Sequence, residues 1–347
     1  MKISIVTVYE SMNCGAYLQA WALKEFLENY GHQVTYLENN SRNIEKFMIR
    51  YGIKLFLKRK MQDLKMEMKN YSIFRSYHKN FKMCPYIKKN MKEQDLFILG
   101  SDEIWNVSKR DMAPFPIFWG DGIQNDNIIS YAPSANNATL EDIKNYPYAK
   151  VACEKLKKIS VRDTYTKKLI ESITEKPVTL VCDPTMLLDE IHYNSIIKNC
   201  EHQDFILIYD CYKKFSTKEI KMCKAFAEKQ NKKLISFGAY LSWCDISLPA
   251  DPMNYLSYIK AADYIFTGTF HGTIYSIIFN KQFVLMGNPK NKVKNTLKYY
   301  DLEDRVLISK ERLSDSAPRK INYKEINKKV EEMRNQSKNF LLSSLTT

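Results

Sequence analysis

The chain has 347 residues, of which 45% are hydrophobic and 27% charged, with a formal net charge of +14. This length exceeds the roughly 250–300 residues at which one core stops growing, so two domains are expected. Ten glycines and eleven prolines exclude a fibrous or low-complexity chain, and no run of about 18 apolar residues marks a membrane span.

The opening "MKISIVTVYE" reads as a first β-strand, because its apolar run meets acid and turn residues too early for a signal peptide. A polar turn, "YESMNCG", leads into a helical pattern over "AYLQAWALKEFLENY" with Leu18, Ala22, Leu23, Phe26 and Leu27 on one side. Gly31 ends that helix as a C′ residue, and "QVTYLE" resumes as a strand.

A basic segment follows. Between Arg42 and Lys92 there are fifteen Lys and Arg against three acids, Glu45, Asp63 and Glu67, an excess of +12 that leaves the rest of the chain close to neutral. Ile49, Ile53, Leu57, Met61, Leu64, Met68 and Tyr71 recur every three or four residues, predicting one helix with a single apolar stripe. Either that stripe docks on the protein beneath a solvated basic back, or the helix meets an anionic partner such as a membrane surface or a lipid-diphosphate-linked substrate. Nucleic acid is not expected, since no finger, helix-turn-helix or RNA-binding signature accompanies the charge.

Strands then recur at "DLFIL", "NIISY", "KISVRD" and "VTLVCDPT", with helical patterns between several of them. The pattern lapses around "LDEIHYNSIIKNCEHQ" and restarts at "DFILIYD", continuing through "KLISFG", "DYIFTGT" and "QFVLMG". This alternation predicts an α/β fold of two Rossmann-like doubly wound domains with parallel sheets facing a cleft. The expected boundaries are 1–190, with the basic helical insert at about 42–92, then 204–310, then a charged C-terminal helix at 311–347 that packs back or joins a subunit interface. Eight cysteines form no C-x-x-C pair and lack zinc-site spacing. They read as reduced thiols of a cytoplasmic protein, peripheral at the inner membrane face if the basic helix binds lipid; no metal site is expected.

Ligands of doubly wound sheets bind beyond the carboxyl ends of strands. Five such turns combine small and polar residues: Asn13-Cys14-Gly15, Gly100-Ser101-Asp102, Ala132-Pro133-Ser134, Arg162-Asp163, and Gly268 to Thr273. A helix start over Thr269 to Thr273 offers N–H donors to an anion, Arg162 offers a charged fork, and His271 a proton donor near neutral pH. The plainer roles stay open. His271 also fits a capping or packing residue, Arg162-Asp163 an ion pair, Asp183 an N-cap before Pro184, and Gly15 a glycine that lets its turn pack tightly. Dinucleotide, ATP, zinc-protease and serine-hydrolase motifs are all missing.

In order, "NCGAYLQAWAL", "DLFILGSDEIWN", "SYAPSAN", "SVRD", "CDPTMLL" and "FTGTFHGTIYSIIFNKQFV" resemble the polysaccharide pyruvyl transferase family. The resemblance implies a glycosyltransferase-B-like pair of domains. It also implies transfer of pyruvate from phosphoenolpyruvate, as a ketal on a sugar hydroxyl pair, usually on a cell-surface polysaccharide precursor. His271 matches a histidine implicated in catalysis, and Arg162 an arginine implicated in holding phosphoenolpyruvate. No cofactor is expected. Thr269, Gly272, Thr273 and Lys281 join Arg162 on the phosphoenolpyruvate side. Asn13, Gly15, Ser101, Asp102, Glu103 and Trp105 fall on the side of a lipid-linked or nucleotide-linked glycan acceptor. Several relatives carry arginine where this chain has Thr269, and Lys281 is one substitute for that missing clamp. Glu103 stands where many have glutamine, and it or Asp102 would serve as a base or a partner for sugar hydroxyls. Trp105 is a sugar-stacking platform or a buried structural tryptophan. A nucleotide-sugar-dependent glycosyltransferase and a non-catalytic glycan-assembly protein are the competing readings.

Overall fold

Short, largely apolar segments closed by turn residues make β1 (Lys2–Val6), β2 (Gln33–Leu37), β4 (Leu96–Leu99) and β5 (Ile128–Ser130). A two-residue strand the sequence did not signal, β3 (Met83–Cys84), completes the order β3-β2-β1-β4-β5, all parallel. A separate ladder of β6 (Ile159–Val161) and β7 (Val178–Leu180) joins this sheet through the bridge between Ile129 and Lys158. The second half repeats the design with β8 (Phe205–Tyr209), β9 (Lys233–Phe237), β10 (Ile246–Leu248), β11 (Tyr264–Thr267) and β12 (Gln282–Leu285), ordered β10-β9-β8-β11-β12 and again parallel. The computed structural model describes residues 1–38, 44–58, 60–108, 115–307 and 319–345, with backbone only at 44–48 and 291. Arg42, Arg59 and the stretches 311–318 and 346–347 named from sequence lie outside the described residues.

The halves share one core. A single buried cluster runs from Ile3, Ile5 and Ile98 on the first sheet, through Tyr17, Leu18 and Met186, to Leu207, Ile265 and Tyr275 on the second, and on to Val330 and Leu341. Each sheet also has its own outer core, Val6, Phe97 and Trp105 on one and Ile208, Phe226 and Phe266 on the other. The inner faces are joined by the helices Cys14–Asn29, Pro252–Ala261 and Phe270–Ile278.

The C-terminal helix Tyr323–Leu345 packs back across both halves. Tyr323 donates from its hydroxyl to the Ser276 carbonyl, while Arg334 donates through Nε to the Met186 carbonyl at 2.7 Å and Ser337 Oγ accepts from the Cys182 amide. All eight cysteines are unpaired.

The basic insert departs from its expected form. It is two helices, Ile44–Leu57 and Met61–His78, and most of the predicted stripe faces outward: Ile49, Ile53, Leu57, Met61 and Met68 are exposed, Leu57 at 74%. The docked face is Leu55, Met66, Asn70 and Phe74. A stripe seven residues long on one helix cannot stay in register across a break, so each helix settles separately. Asn70 decides the second helix's seat, donating to the Gly238 carbonyl and accepting from the Ala250 amide. Asp63 pairs with Lys213, and Tyr77 donates to Asp251. The insert packs Phe74 and Tyr77 on Tyr17 of the first half and is tied by hydrogen bonds to the second.

Because the core is continuous, thermal unfolding should show one cooperative transition, with secondary- and tertiary-structure signals coincident. Leu341→Ala, fully buried in that core, should lower the whole transition by about 2–5 kcal/mol. Two separated transitions in a calorimetric scan would contradict a shared core.

Candidate active site

In both halves the strand order reverses beside the first strand, between β1 and β4 and between β8 and β11. The carboxyl ends of these pairs carry Ser101, Asp102 and Glu103 in one half and Thr267 to His271 in the other. Of these, Asp102, Glu103 and Gly268 to His271 line one cleft, with Asn13, Asp210, Lys214, Lys290 and Lys292 on its other walls.

Helix Phe270–Ile278 begins within the expected start over Thr269 to Thr273, so His271 is inside its first turn. Thr269 is the N-cap: its Oγ1 accepts from the Gly272 amide at 3.0 Å. Thr273 donates both its amide and its hydroxyl to the Thr269 carbonyl. Thr269, Gly272 and Thr273 therefore build the helix start. The N–H groups left for an anion are those of Phe270 and His271, which have no acceptor among the described residues.

Helix Cys14–Asn29 points its own start at the same place, capped by Asn13, whose Oδ1 accepts from the Gly15 and Ala16 amides. Gly15 lies directly under the histidine. A Cβ there would stand 2.1 Å from His271 Nδ1 and 2.6 Å from its Cβ, so the absence of a side chain at Gly15 makes room for the imidazole.

The charged groups interlock. Asp183, the N-cap of the turn at Pro184–Met186, accepts through Oδ1 from Thr185 and through Oδ2 from Arg162 Nη1 at 2.7 Å and Ser101 Oγ at 3.3 Å. Oδ2 also stands 3.8 Å from His271 Nε2. The Arg162 and Asp183 side chains are 2% and 0% exposed. Burial opposes the charge on Asp183, but His271, Arg162 and the Thr185 hydrogen bond hold its carboxyl below the usual range. Sequence suggested only a cap for Asp183 and a pairing of Arg162 with Asp163. Instead Asp163 caps helix Thr164–Glu171, and Asp183 takes both duties. Arg162 stacks on Phe270, 4.3 Å from ring centre to Cζ, and lines a smaller cavity behind that ring. Its Nε and Nη2 are buried with no hydrogen-bond partner among the described residues. Phe270 lines both spaces and separates Arg162 from the cleft.

Two lysines that sequence reasoning missed stand beside Lys214 as cations of the cleft. Lys290 and Lys292 reach Glu103 Oε1 at 2.9 and 2.8 Å, while Asn106 and Asn136 donate to Oε2. Burial of Glu103 is outweighed by Lys292 and Lys290, so its carboxyl is held far below the usual range. With both oxygens saturated, Glu103 is a tether for lysines, and the base role expected of it does not fit. Asp102, in left-handed backbone at φ 77°, lines the cleft with one oxygen taken by the Glu103 amide. Burial resists its ionisation, but Lys292 and Arg162 prevail and lower its carboxyl below the ordinary value.

Three expected site residues fall elsewhere. Lys281 lies past the far end of the nine-residue helix, on the order of 13 Å along its axis, and donates to the Lys260 carbonyl. Trp105 is fully buried, stacked on Trp119 at 4.7 Å and bonded through Nε1 to the Phe118 carbonyl, so it offers no face to a sugar. Ser101 is buried within the Arg162–Asp183 network.

The family model for polysaccharide pyruvyl transferase matches residues 13–291. The chain belongs to this family. As a polysaccharide pyruvyl transferase family member, it is a transferase by class and is built on a glycosyltransferase-B-like frame. An α-glucosyltransferase solved with UDP and a 13-mer DNA superposes with a TM-score of 0.51 at 9% identity, covering 98% of this chain and 95% of that one. A UDP-GlcNAc 2-epimerase from Methanocaldococcus jannaschii gives 0.48 at 12% identity, covering 96% and 93%. No curated protein sequence matches the chain. Among the described residues no helix is long and apolar enough to cross a membrane, and no cluster of His, Cys, Asp and Glu could hold a metal ion.

Two tests follow from the geometry. Alanine in a helix ordinarily stabilises relative to glycine, yet Gly15→Ala should destabilise by about 1–3 kcal/mol through overlap with His271; a rise in melting temperature would refute the packing. Burial, opposed by Asp183 and reinforced by Arg162, lowers the His271 pKa from 6.5 to about 4. The unfolded chain then takes up this proton first, so stability should fall as pH drops from about 6.5 to about 4. The loss is on the order of 3 kcal/mol. His271→Gln should remove that part of the slope in melting curves across the window.

Proposed function

We propose that the protein transfers pyruvate from phosphoenolpyruvate to two hydroxyls of a sugar on a glycan precursor, forming a cyclic ketal. The observation that carries this reading is the convergence of His271, two helix starts and the Lys290–Lys292 pair on one cleft. This set suits a small polyanion that must be protonated on carbon.

Lys290, Lys292 and the N–H groups of Phe270 and His271 hold phosphate and carboxylate. Around the imidazole the cations Arg162, Lys290 and Lys292 are matched by the carboxylates Asp102, Glu103 and Asp183, and Lys214 and Asp210 add one charge of each sign to the cleft wall. His271 is neutral there. A bound anion adds uncompensated negative charge beside His271 and draws a proton onto it. The imidazolium then gives that proton to the methylene carbon, which becomes methyl, and C2 becomes electron-poor. A sugar hydroxyl adds to C2 and loses its proton. The C2–O bond to phosphate breaks, and a second hydroxyl closes the ring. Of the two hydroxyl protons, one replaces that spent by His271 and one leaves with phosphate. Asp102 is the acceptor-side carboxylate. Arg162 acts through Asp183, fixing the carboxylate that positions the imidazole, in place of the direct grip on phosphoenolpyruvate that family resemblance implies.

Phosphoenolpyruvate at 100 times its dissociation constant should stabilise the protein by about 2.7 kcal/mol, read as a melting shift. Lys292→Ala should lose most of that shift. Binding enthalpy should vary with the ionisation heat of the buffer, reporting proton uptake, and this variation should vanish in His271→Gln. Inorganic phosphate should be released only when a sugar acceptor is added. Stabilisation by nucleotide sugars alone would overturn the reading in favour of glycosyl transfer, which the fold also accommodates.

A further inference from the structure

We propose that the exposed face of the two insert helices is a membrane-docking surface that seats the protein on bilayers carrying anionic headgroups. The inference is independent of the chemistry assigned to the cleft. Ile49, Ile53, Phe56 and Leu57 recur at i, i+4, i+7 and i+8 on helix Ile44–Leu57, and all four are exposed. Met61 and Met68 continue the exposed apolar set on helix Met61–His78. Water-facing aliphatic side chains this concentrated are uncommon on a soluble surface unless something covers them.

The charges say what covers them. Arg50, Lys54, Lys65 and Lys69 are exposed on the same two helices, and Lys58 and Lys60 are exposed in the turn between them. The only acids between 49 and 71 are Asp63 and Glu67; Asp63 is paired with Lys213, and Glu67 is partly buried. From 49 to 71 the surface is therefore apolar and cationic, with no exposed carboxylate among the described residues. An amphipathic helix of this kind lies in the plane of the interface, with its apolar side chains among the acyl chains and its cations at the headgroups.

A second copy of the chain fits poorly. A two-fold contact would set six cations against six like charges. The surface is also free to move onto a bilayer, because the groups that hold the insert in place, Asn70, Phe74 and Tyr77, are on the opposite, docked side.

The test is flotation of the full chain with vesicles of phosphatidylcholine alone and of phosphatidylcholine mixed with phosphatidylglycerol, at low and high salt. The wild type should partition onto the anionic vesicles only, less at high salt. Ile53→Asp with Leu57→Asp, and separately Lys54→Glu with Lys58→Glu, should each weaken partitioning by about tenfold or more. These positions are exposed, so circular dichroism and melting temperature should match the wild type, and so should the melting shift with phosphoenolpyruvate. Equal flotation with neutral and anionic vesicles, or none with either, would overturn the proposal. So would a concentration-dependent dimer in sedimentation velocity that the Asp variant abolishes.

Discussion

A buried ion pair organises this molecule's chemistry. Arg162 follows β6 and Asp183 follows β7, two short strands at the end of the first sheet, and both side chains are shut away from water. Breaking such a pair by removing one partner costs about 3–5 kcal/mol, because the remaining charge is stranded. The pair is therefore an obligatory part of the folded state as well as of the site. The Asp183 Oδ2 that accepts from Arg162 also stands 3.8 Å from the imidazole carried by the opposite half. Neither half has a complete site alone: one brings the carboxylates and the arginine, the other the histidine and the lysines.

The strands were legible in the sequence because parallel strands buried on both faces read as unbroken apolar runs. The turns that close them stood out by contrast. Asn13, Gly15, Asp102, Glu103, Arg162 and His271 all lie at or beside the predicted cleft for that reason. What one strand or turn could not reveal was partnership across distance. Lys290 and Lys292 sit in an unremarkable "NPKNKVK", and they matter because Glu103 waits 187 residues away from Lys290. Asp183 looked like a cap and is one, yet its second oxygen has a different duty.

The misplacements have similar causes. Trp105 follows a polar turn, which suggests exposure, but Trp119 folds over it. Lys281 is ten residues after His271 in sequence, and a helix carries it to the wrong end. The stripe at 49–71 was periodic enough to predict helix and silent about which side would be covered. That choice fell to Asn70, a polar residue whose two backbone hydrogen bonds fixed the seat.

Two straps cross between the halves in opposite directions. The insert runs from the first half onto Gly238, Ala250 and Asp251 of the second, and the C-terminal helix returns from Ser276 to Met186 and Cys182 of the first. With a common core between them, these ties remove most of the rigid-body freedom that two sheets joined by a linker would keep. Ligand entry must then be managed by small parts. The buried ring of Phe270 stands between Arg162 and the cleft, and the partly exposed Lys290 side chain stands at the cleft wall. Accommodation of a ligand then falls to side chains at the cleft wall rather than to movement of one half against the other.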